Sequence, residues 1–338
     1  MRGFFKFFVA LLVGAAILFF VVREMGTEAM WAGISLFAGW GGLLILINTL
    51  LVLLAGALRW RQILKSENEN IPFLTILRYL IKGFTVDFLT PFSLFGGEAV
   101  RIFLMEKEVG TKKSAFSVIT DKILDITALF LFLLLGITLF VVYSVTPSDS
   151  LLFYAAGVIA LVLFVLVLFY IKAMQKESFL KWVFAIVGIS RKYLDETENG
   201  KAIIEIEEKI IHFFSAKKKE LATGLALSFL RHFFFVLRIF LIMFLVTGST
   251  DPGIAITVYG LVILAMVLPL PAALGSMEII LVLGLGAIGY DVGAGLTAAT
   301  TLRGADLMVC AVGVILFIRL SFMSFYHQFN KFMERFAK

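Results

Sequence analysis

The chain has 338 residues, of which 61% are hydrophobic and 16% charged, with a mean hydropathy of +1.01. A soluble domain carries about 25% charged residues, so this composition excludes a water-solvated globule and reads as an all-α polytopic membrane protein forming a single membrane domain over 1–338. The net charge of +6 sits in clusters that read as membrane topology and not as a nucleic-acid surface.

Roughly 20 residues of helix cross a hydrocarbon core. Apolar runs suited to full spans fall at 7–22, 36–58, 115–143, 151–171, 221–247 and 296–320. The first, behind Arg2 and Lys6, resembles a signal peptide, but no small-residue cleavage site follows it, so it reads as an uncleaved helix. Basic residues gather at Arg2/Lys6, Arg59/Arg61/Lys65, Lys107/Lys112/Lys113, across 172–219 and at Lys331/Arg335/Lys338, whereas the connections 144–150, 247–253 and 289–295 carry none. The positive-inside rule then places the basic set and both termini in the cytoplasm, and points to the cell membrane as location.

Two further apolar regions do not count as single spans. Residues 73–104 begin and end beside basic sequence but break at Pro91 and Gly96-Gly97; residues 254–290 begin and end at uncharged-to-acidic connections but break at Pro269, Pro271 and Gly275. Two re-entrant hairpins, entering from opposite faces, keep the topology consistent. Ordinary proline-kinked spans are the competing reading and would put basic loops outside. Between the halves lies the connection 172–220. Its stretch "AIIEIEEKIIHFF" (202–214) sets Ile203, Ile206, Ile210, Phe213 and Phe214 on one stripe, with Glu205, Glu208, Lys209 and His212 opposite. That pattern, followed by the lysines at 217–219, predicts an amphipathic helix lying against anionic headgroups.

The two breaks repeat in detail. Pro91 precedes Glu98 by seven residues, and Pro271 precedes Glu278 by seven; Lys122 and Asp125 follow Glu98 much as Arg303 and Asp306 follow Glu278, with one residue of slack. Scarce residue types align, so about 73–143 and 254–320 read as repeat-like halves. Because the hairpins enter from opposite sides, the repeat is inverted, a pattern that many transporters use to build a midplane site. The helix restarting after each break presents unpaired N–H groups and a positive dipole end, suited to a phosphate. Glu98 and Glu278 equally suit a bland role as caps of those starts. Ionisable groups deep in a membrane are costly, so Asp121, Lys122, Asp125, Arg303 and Asp306 imply either a polar cavity or structural ion pairs. Arg231 and Arg238, two turns apart, add cations to one helix face, and with Arg101 they point to a buried anion site.

Little in the chain points to catalysis. The glycine pattern at 284–289 follows no strand and is a packing feature; His212, His232 and His327 lack metal-ligand spacing; the single Cys310 excludes an intrachain disulfide. No catalytic residue, metal or cofactor is expected.

The segment "TPFSLFGGEAVRIFLMEKEVGTKKSAFSVITDKILD" (90–125), with "LPLPAALGSMEII" (268–280) and "TTLRGAD" (300–306), resembles the membrane region of lysylphosphatidylglycerol synthases, a flippase-like family. One departure is "PAALGS", where the family commonly has more glycine after the proline. Bifunctional members carry a soluble aminoacyltransferase domain, which these residues do not contain, so the resemblance implies the lipid-translocating part alone. It implies functional roles for Asp87, Glu98, Arg101, Asp121, Lys122, Asp125, Glu278 and Arg303. Membrane lipids with anionic headgroups are the expected partners, alongside self-association or a lipid-modifying transferase. Competing readings are a membrane enzyme using Asp87, Glu98 or Asp121 as acid or base, a small-anion transporter, and an anchoring subunit for a transferase.

Overall fold

The computed structural model describes residues 27–89, 96–144, 197–268 and 270–336, single positions at 19 and 23 and several between 157 and 175, with side chains up to residue 318. The spans expected at 7–22 and 151–171 lie outside the described residues or nearly so, as do Pro91 and Pro269. Among the described residues the chain is helical, without strands. The helices are α1 (Glu28–Ser35), α2 (Trp40–Ser66), α3 (Phe73–Leu89), α4 (Gly96–Val109), α5 (Thr111–Tyr143), α6 (Glu198–Ala216), α7 (Lys218–Thr247), α8 (Pro252–Val267), α9 (Ser276–Ala287) and α10 (Val292–Phe336). Four of them, α2, α5, α7 and α10 up to Ile318, are long and apolar enough to cross a membrane.

The helix boundaries follow from local chemistry. Asp251 caps α8 by accepting the Gly253 N–H at 2.7 Å, with Pro252 in the first helical position where its missing donor costs nothing. Thr197 caps α6 through the Gly200 N–H at 2.9 Å. Gly248, at φ 73°, ends α7 in the left-handed region that a side chain avoids.

Contacts between helix ends sort the molecule into two poles. At one pole, Gln62 Nε2 donates to the Glu220 carbonyl (2.7 Å), Lys217 Nζ bonds the Ser66 carbonyl (2.6 Å) and Glu67 (2.7 Å), Lys113 pairs with Glu69, and Lys112 pairs with Glu205. At the other, the Tyr143 hydroxyl donates to Asp251 (2.8 Å), and Glu28, Thr247, Tyr290 and Asp291 surround one pocket. Lysine and arginine crowd the first pole, and the acidic connections lie at the second. The stretch α3–α4 has both outer ends beside the basic pole, whereas α8–α9 has both outer ends beside the other.

Where backbones approach most closely, the residues are glycines. A Cβ on Gly97 would fall 2.2 Å from the Gly83 carbonyl oxygen, and one on Gly136 would fall 2.8 Å from Gly260 Cα. The first contact seals α3 against α4; the second lets α5 lie directly on α8. A large apolar cluster built from α2, α5 and α7–α10 fills the centre, including Ile242, Ala255, Leu281, Leu285, Ala299 and Ala305.

The stripe expected on α6 forms, but its partner is not lipid. Ile210, Phe213 and Phe214 are buried against Ile63, Phe116 and Leu124, with Ile206 packed beside them; Ile203 alone of the stripe is exposed. Periodicity announces an apolar face and does not say what covers it.

Candidate functional site

At mid-height the long helices bring their charged residues together. Lys122 stands eleven residues into α5 and Arg303 eleven into α10, each about 16 Å along its helix at 1.5 Å per residue. Because α5 starts at the basic pole and α10 at the other, the two levels meet.

Arg59 of α2, 1% exposed, holds Asp121 (Nε, 2.6 Å) and Asp125 (Nη1, 2.6 Å), and its Nη1 also donates to Ser228 (3.0 Å). Arg101 bonds the other oxygen of Asp121 at 2.7 Å, with its guanidinium 4.0 Å from the centre of the Trp60 ring. Lys122 pairs with Glu98 at 2.7 Å. On α7, Arg231 reaches Asp125 at 2.5 Å and Arg238 reaches Asp306 at 2.8 Å. Each of these bases therefore holds a carboxylate. Asp87 differs: among the described residues it has no ion pair, and it accepts the Gly97 N–H at 2.6 Å.

The second break is held by Arg303. Its guanidinium bonds both oxygens of Glu278 (2.9 Å each) and the carbonyls of Ala272 (2.7 Å) and Ala273 (3.1 Å). Those alanines have φ of 52° and 49°, a conformation that costs an L-residue roughly 1–2 kcal/mol. They stand in "PAALGS", where glycine would take up this backbone without that cost. Glu278 also accepts the Gly275 N–H at 2.9 Å. The start of α9 is thus capped by Glu278, whereas among the described residues the N–H cap at the start of α4 comes from Asp87.

The two halves make matching contacts. Glu98 with Lys122 corresponds to Glu278 with Arg303; Asp125 with Arg59 corresponds to Asp306 with Arg238. Arg59 lies 39 residues before Glu98, and Arg238 lies 40 before Glu278. The repeat spacing thus runs further upstream than the aligned phrases, and that spacing is the signal by which Arg59 was recognisable. Its neighbours Arg61 and Lys65 hid it inside what reads as a topological cluster.

Between the two broken regions lies a cavity of about 220 Å³. Asp87, Lys122, Asp125, Arg231, His232, Arg238, Tyr259 and Asp306 supply its polar lining, and Phe84, Phe88, Phe130, Phe235 and aliphatic side chains supply the rest. Of the residues singled out from sequence, Asp87, Lys122, Asp125, Arg231, Arg238 and Asp306 line this cavity. Glu98 and Arg303 touch it through Lys122 and the Ala272–Ala273 turn; Arg101 and Asp121 stand behind it, buttressing Arg59. Gly96, Gly97 and Gly275 form the helix starts, and Pro271 opens the second turn. Arg231 and Arg238 both lie over the Phe235 ring, at 5.3 and 5.2 Å, and each keeps a buried Nε donor without a hydrogen-bond acceptor. His232 is a packed histidine, bonded to the Tyr259 hydroxyl (2.6 Å) and the Asp125 carbonyl (3.2 Å). Among the described residues no group of histidine, cysteine and carboxylate side chains is arranged to hold a metal.

The family model described as the lysylphosphatidylglycerol synthase TM region matches residues 7–313, which include every residue of this site. The chain belongs to this family. It is similar to a UPF0104 membrane protein of Methanocaldococcus jannaschii, 28% identical over 269 residues, covering 77% of this chain and 78% of that protein. It is also similar to a UPF0104 membrane protein of Pyrococcus horikoshii, 24% identical over 253 residues, covering 70% and 74%. As a member of the family, the protein is a multi-pass membrane protein, in agreement with its four long apolar helices.

Proposed function

We propose that the protein moves a lipid with a phosphate-containing headgroup, a phospholipid or polyprenyl-phosphate type, from one leaflet to the other. In this reading α3–α4 and α8–α9 are re-entrant hairpins related as an inverted repeat. Their helices, of 17, 14, 16 and 12 residues, are short against the roughly 20 needed to span. The basic pole faces the cytoplasm, in the plasma membrane. The observation that carries the proposal is the cavity itself: charges of both signs at mid-height, between the two breaks, in a wall otherwise apolar. Its volume falls below the roughly 300–1,000 Å³ of drug-sized pockets, a size that suits a polar headgroup while the tails remain in lipid. Arg231 and Arg238 offer unused Nε donors to the phosphate, and Asp125 and Asp306 exchange places with it. The family's name, tied to a lipid synthase, supports a lipid as the cargo.

The test is reconstitution with headgroup-labelled lipids of several classes, following leaflet exchange with and without a proton gradient. Arg238→Gln combined with Asp306→Asn removes one of the two donors without stranding a buried charge. This double variant is expected to fold and to exchange phosphate lipids about 10- to 100-fold more slowly, the weight of one charge-assisted hydrogen bond. Unchanged exchange would remove the cavity from the mechanism; chemical turnover of the lipid would replace translocation with catalysis.

A further inference from the structure

Lys82 of α3 stands outside this network. It is 4% exposed, and among the described residues it has no carboxylate and no hydrogen-bond acceptor. Its ammonium meets two aromatic rings, Tyr79 at 5.9 Å and Phe317 of α10 at 5.5 Å. Arg78, four residues earlier on the same helix, carries the same sign. A lysine whose stem is buried and whose ammonium faces rings is incompletely compensated, because a ring face returns only part of what dehydration costs. Each arginine and lysine lining the central cavity has its carboxylate; among the described residues Lys82 has none.

Position says what supplies the counter-charge. Phe317 lies 25 residues beyond the start of α10, about 38 Å along the helix, past the roughly 30 Å of hydrocarbon and at the basic pole. Arg78, Tyr79 and Lys82 share one face of α3 at i, i+1 and i+4, and side chains on a helix lean toward its N-terminus, which here is the basic pole. Arg78 is exposed. With its stem leaning toward the basic pole, Lys82 joins Arg78 and two rings in a cationic, aromatic patch, to which Glu108, accepting the Tyr79 hydroxyl at 3.0 Å, adds one carboxylate. We infer that Arg78 and Lys82, flanked by Tyr79 and Phe317, bind the phosphate of an anionic phospholipid in the leaflet at the basic pole, at a lateral site between α3 and α10 separate from the cavity.

A photo-crosslinking side chain placed at Phe317 in the full chain reads this site alone, in nanodiscs holding tritiated phosphatidylglycerol or phosphatidylcholine. Phosphatidylglycerol is expected to be captured in preference. Lys82→Gln should lower capture by at least about fivefold, the weight of one basic residue at an anionic surface, with Lys82→Arg retaining it. Arg238→Gln with Asp306→Asn, which removes one of the two cavity donors, should leave capture unchanged, so the result stands or falls apart from translocation. Equal capture of both lipids, or capture indifferent to Lys82→Gln, overturns the site. Competition by millimolar inorganic phosphate also overturns the lipid as its ligand and assigns a free anion instead.

Discussion

Arg303 shows how much one side chain does at a helix break. It binds a carboxylate through two nitrogens and reaches two carbonyls whose residues sit at positive φ. A lysine has one point of attachment and cannot reproduce that fork. Arg303→Lys is therefore expected to lower the melting temperature in detergent even though the charge is kept, whereas Ala272→Gly should be neutral or stabilising, since glycine adopts this conformation freely. A fall in stability with Ala272→Gly would contradict the strain assigned to that turn. Arg59 carries a larger load: replacing it with Met leaves Asp121 and Asp125 short of a counter-charge, a change that costs about 3–5 kcal/mol for a buried pair. Thermal or denaturant unfolding of purified Arg59→Met checks it. The sequence showed the scarce residues and their repeat spacing, so Glu98, Lys122, Glu278, Arg303 and Asp306 were legible. It did not show which oxygen meets which nitrogen, because that depends on how α2 and α7 rotate against α5 and α10. Asp87 as the cap of α4 was hidden for the same reason: the partner lies across a break, ten residues away.

At the scale of the helix, glycine placement decides what can pack. Gly97→Ala puts a methyl into the Gly83 carbonyl and within 2.6 Å of an Asp87 oxygen, so α3 and α4 must separate. Gly39, in extended backbone with open space around it, is the matched control. Gly97→Ala is expected to lose stability and lipid exchange together, and Gly39→Ala neither, as read by melting in detergent and by the reconstituted assay. Helix α6 poses a contest between packing and charge. The hydrogen bond from Lys112 holds the Glu205 carboxyl below its usual range. That contribution is present above the ordinary carboxylate pKa and fades as pH falls through the lowered value. On an exposed pair it is screened and small, whereas Phe213 is fully buried and its truncation costs about 3–5 kcal/mol. Protease resistance around residues 198–216 should therefore survive Glu205→Gln and mild acid but fail in Phe213→Ala. The amphipathic pattern was read correctly as a face and given the wrong neighbour. Lipid and a protein core are equally apolar, so periodicity cannot separate them.

For the molecule as a whole, the two poles make a prediction about sidedness. The buried Cys310 leaves a quiet background for engineered cysteines. Labels at Lys112 and Lys218 are expected to react from one side of a sealed vesicle, and labels at Ser249 and Asp291 from the other. If a label at the exposed Asn70, just before α3, reacts from the side opposite to Lys112, α3–α4 crosses the membrane and the hairpin reading fails. The order of long helices and breaks was visible in the chain because hydropathy and charge record it directly. The matching ion pairs of Arg59 with Asp125 and Arg238 with Asp306 were not, because a linear sequence records spacing but not which side chains meet.

The pairing of every cavity base with an internal carboxylate has a consequence for handling cargo. On the proposed reading, an arriving phosphate finds no vacant positive charge to settle on; it must evict an acid that already sits there, and the acid returns when the visitor leaves. Gain and loss on the two sides of that swap nearly cancel, so residence is brief. Such an arrangement suits rapid passage and makes a poor trap.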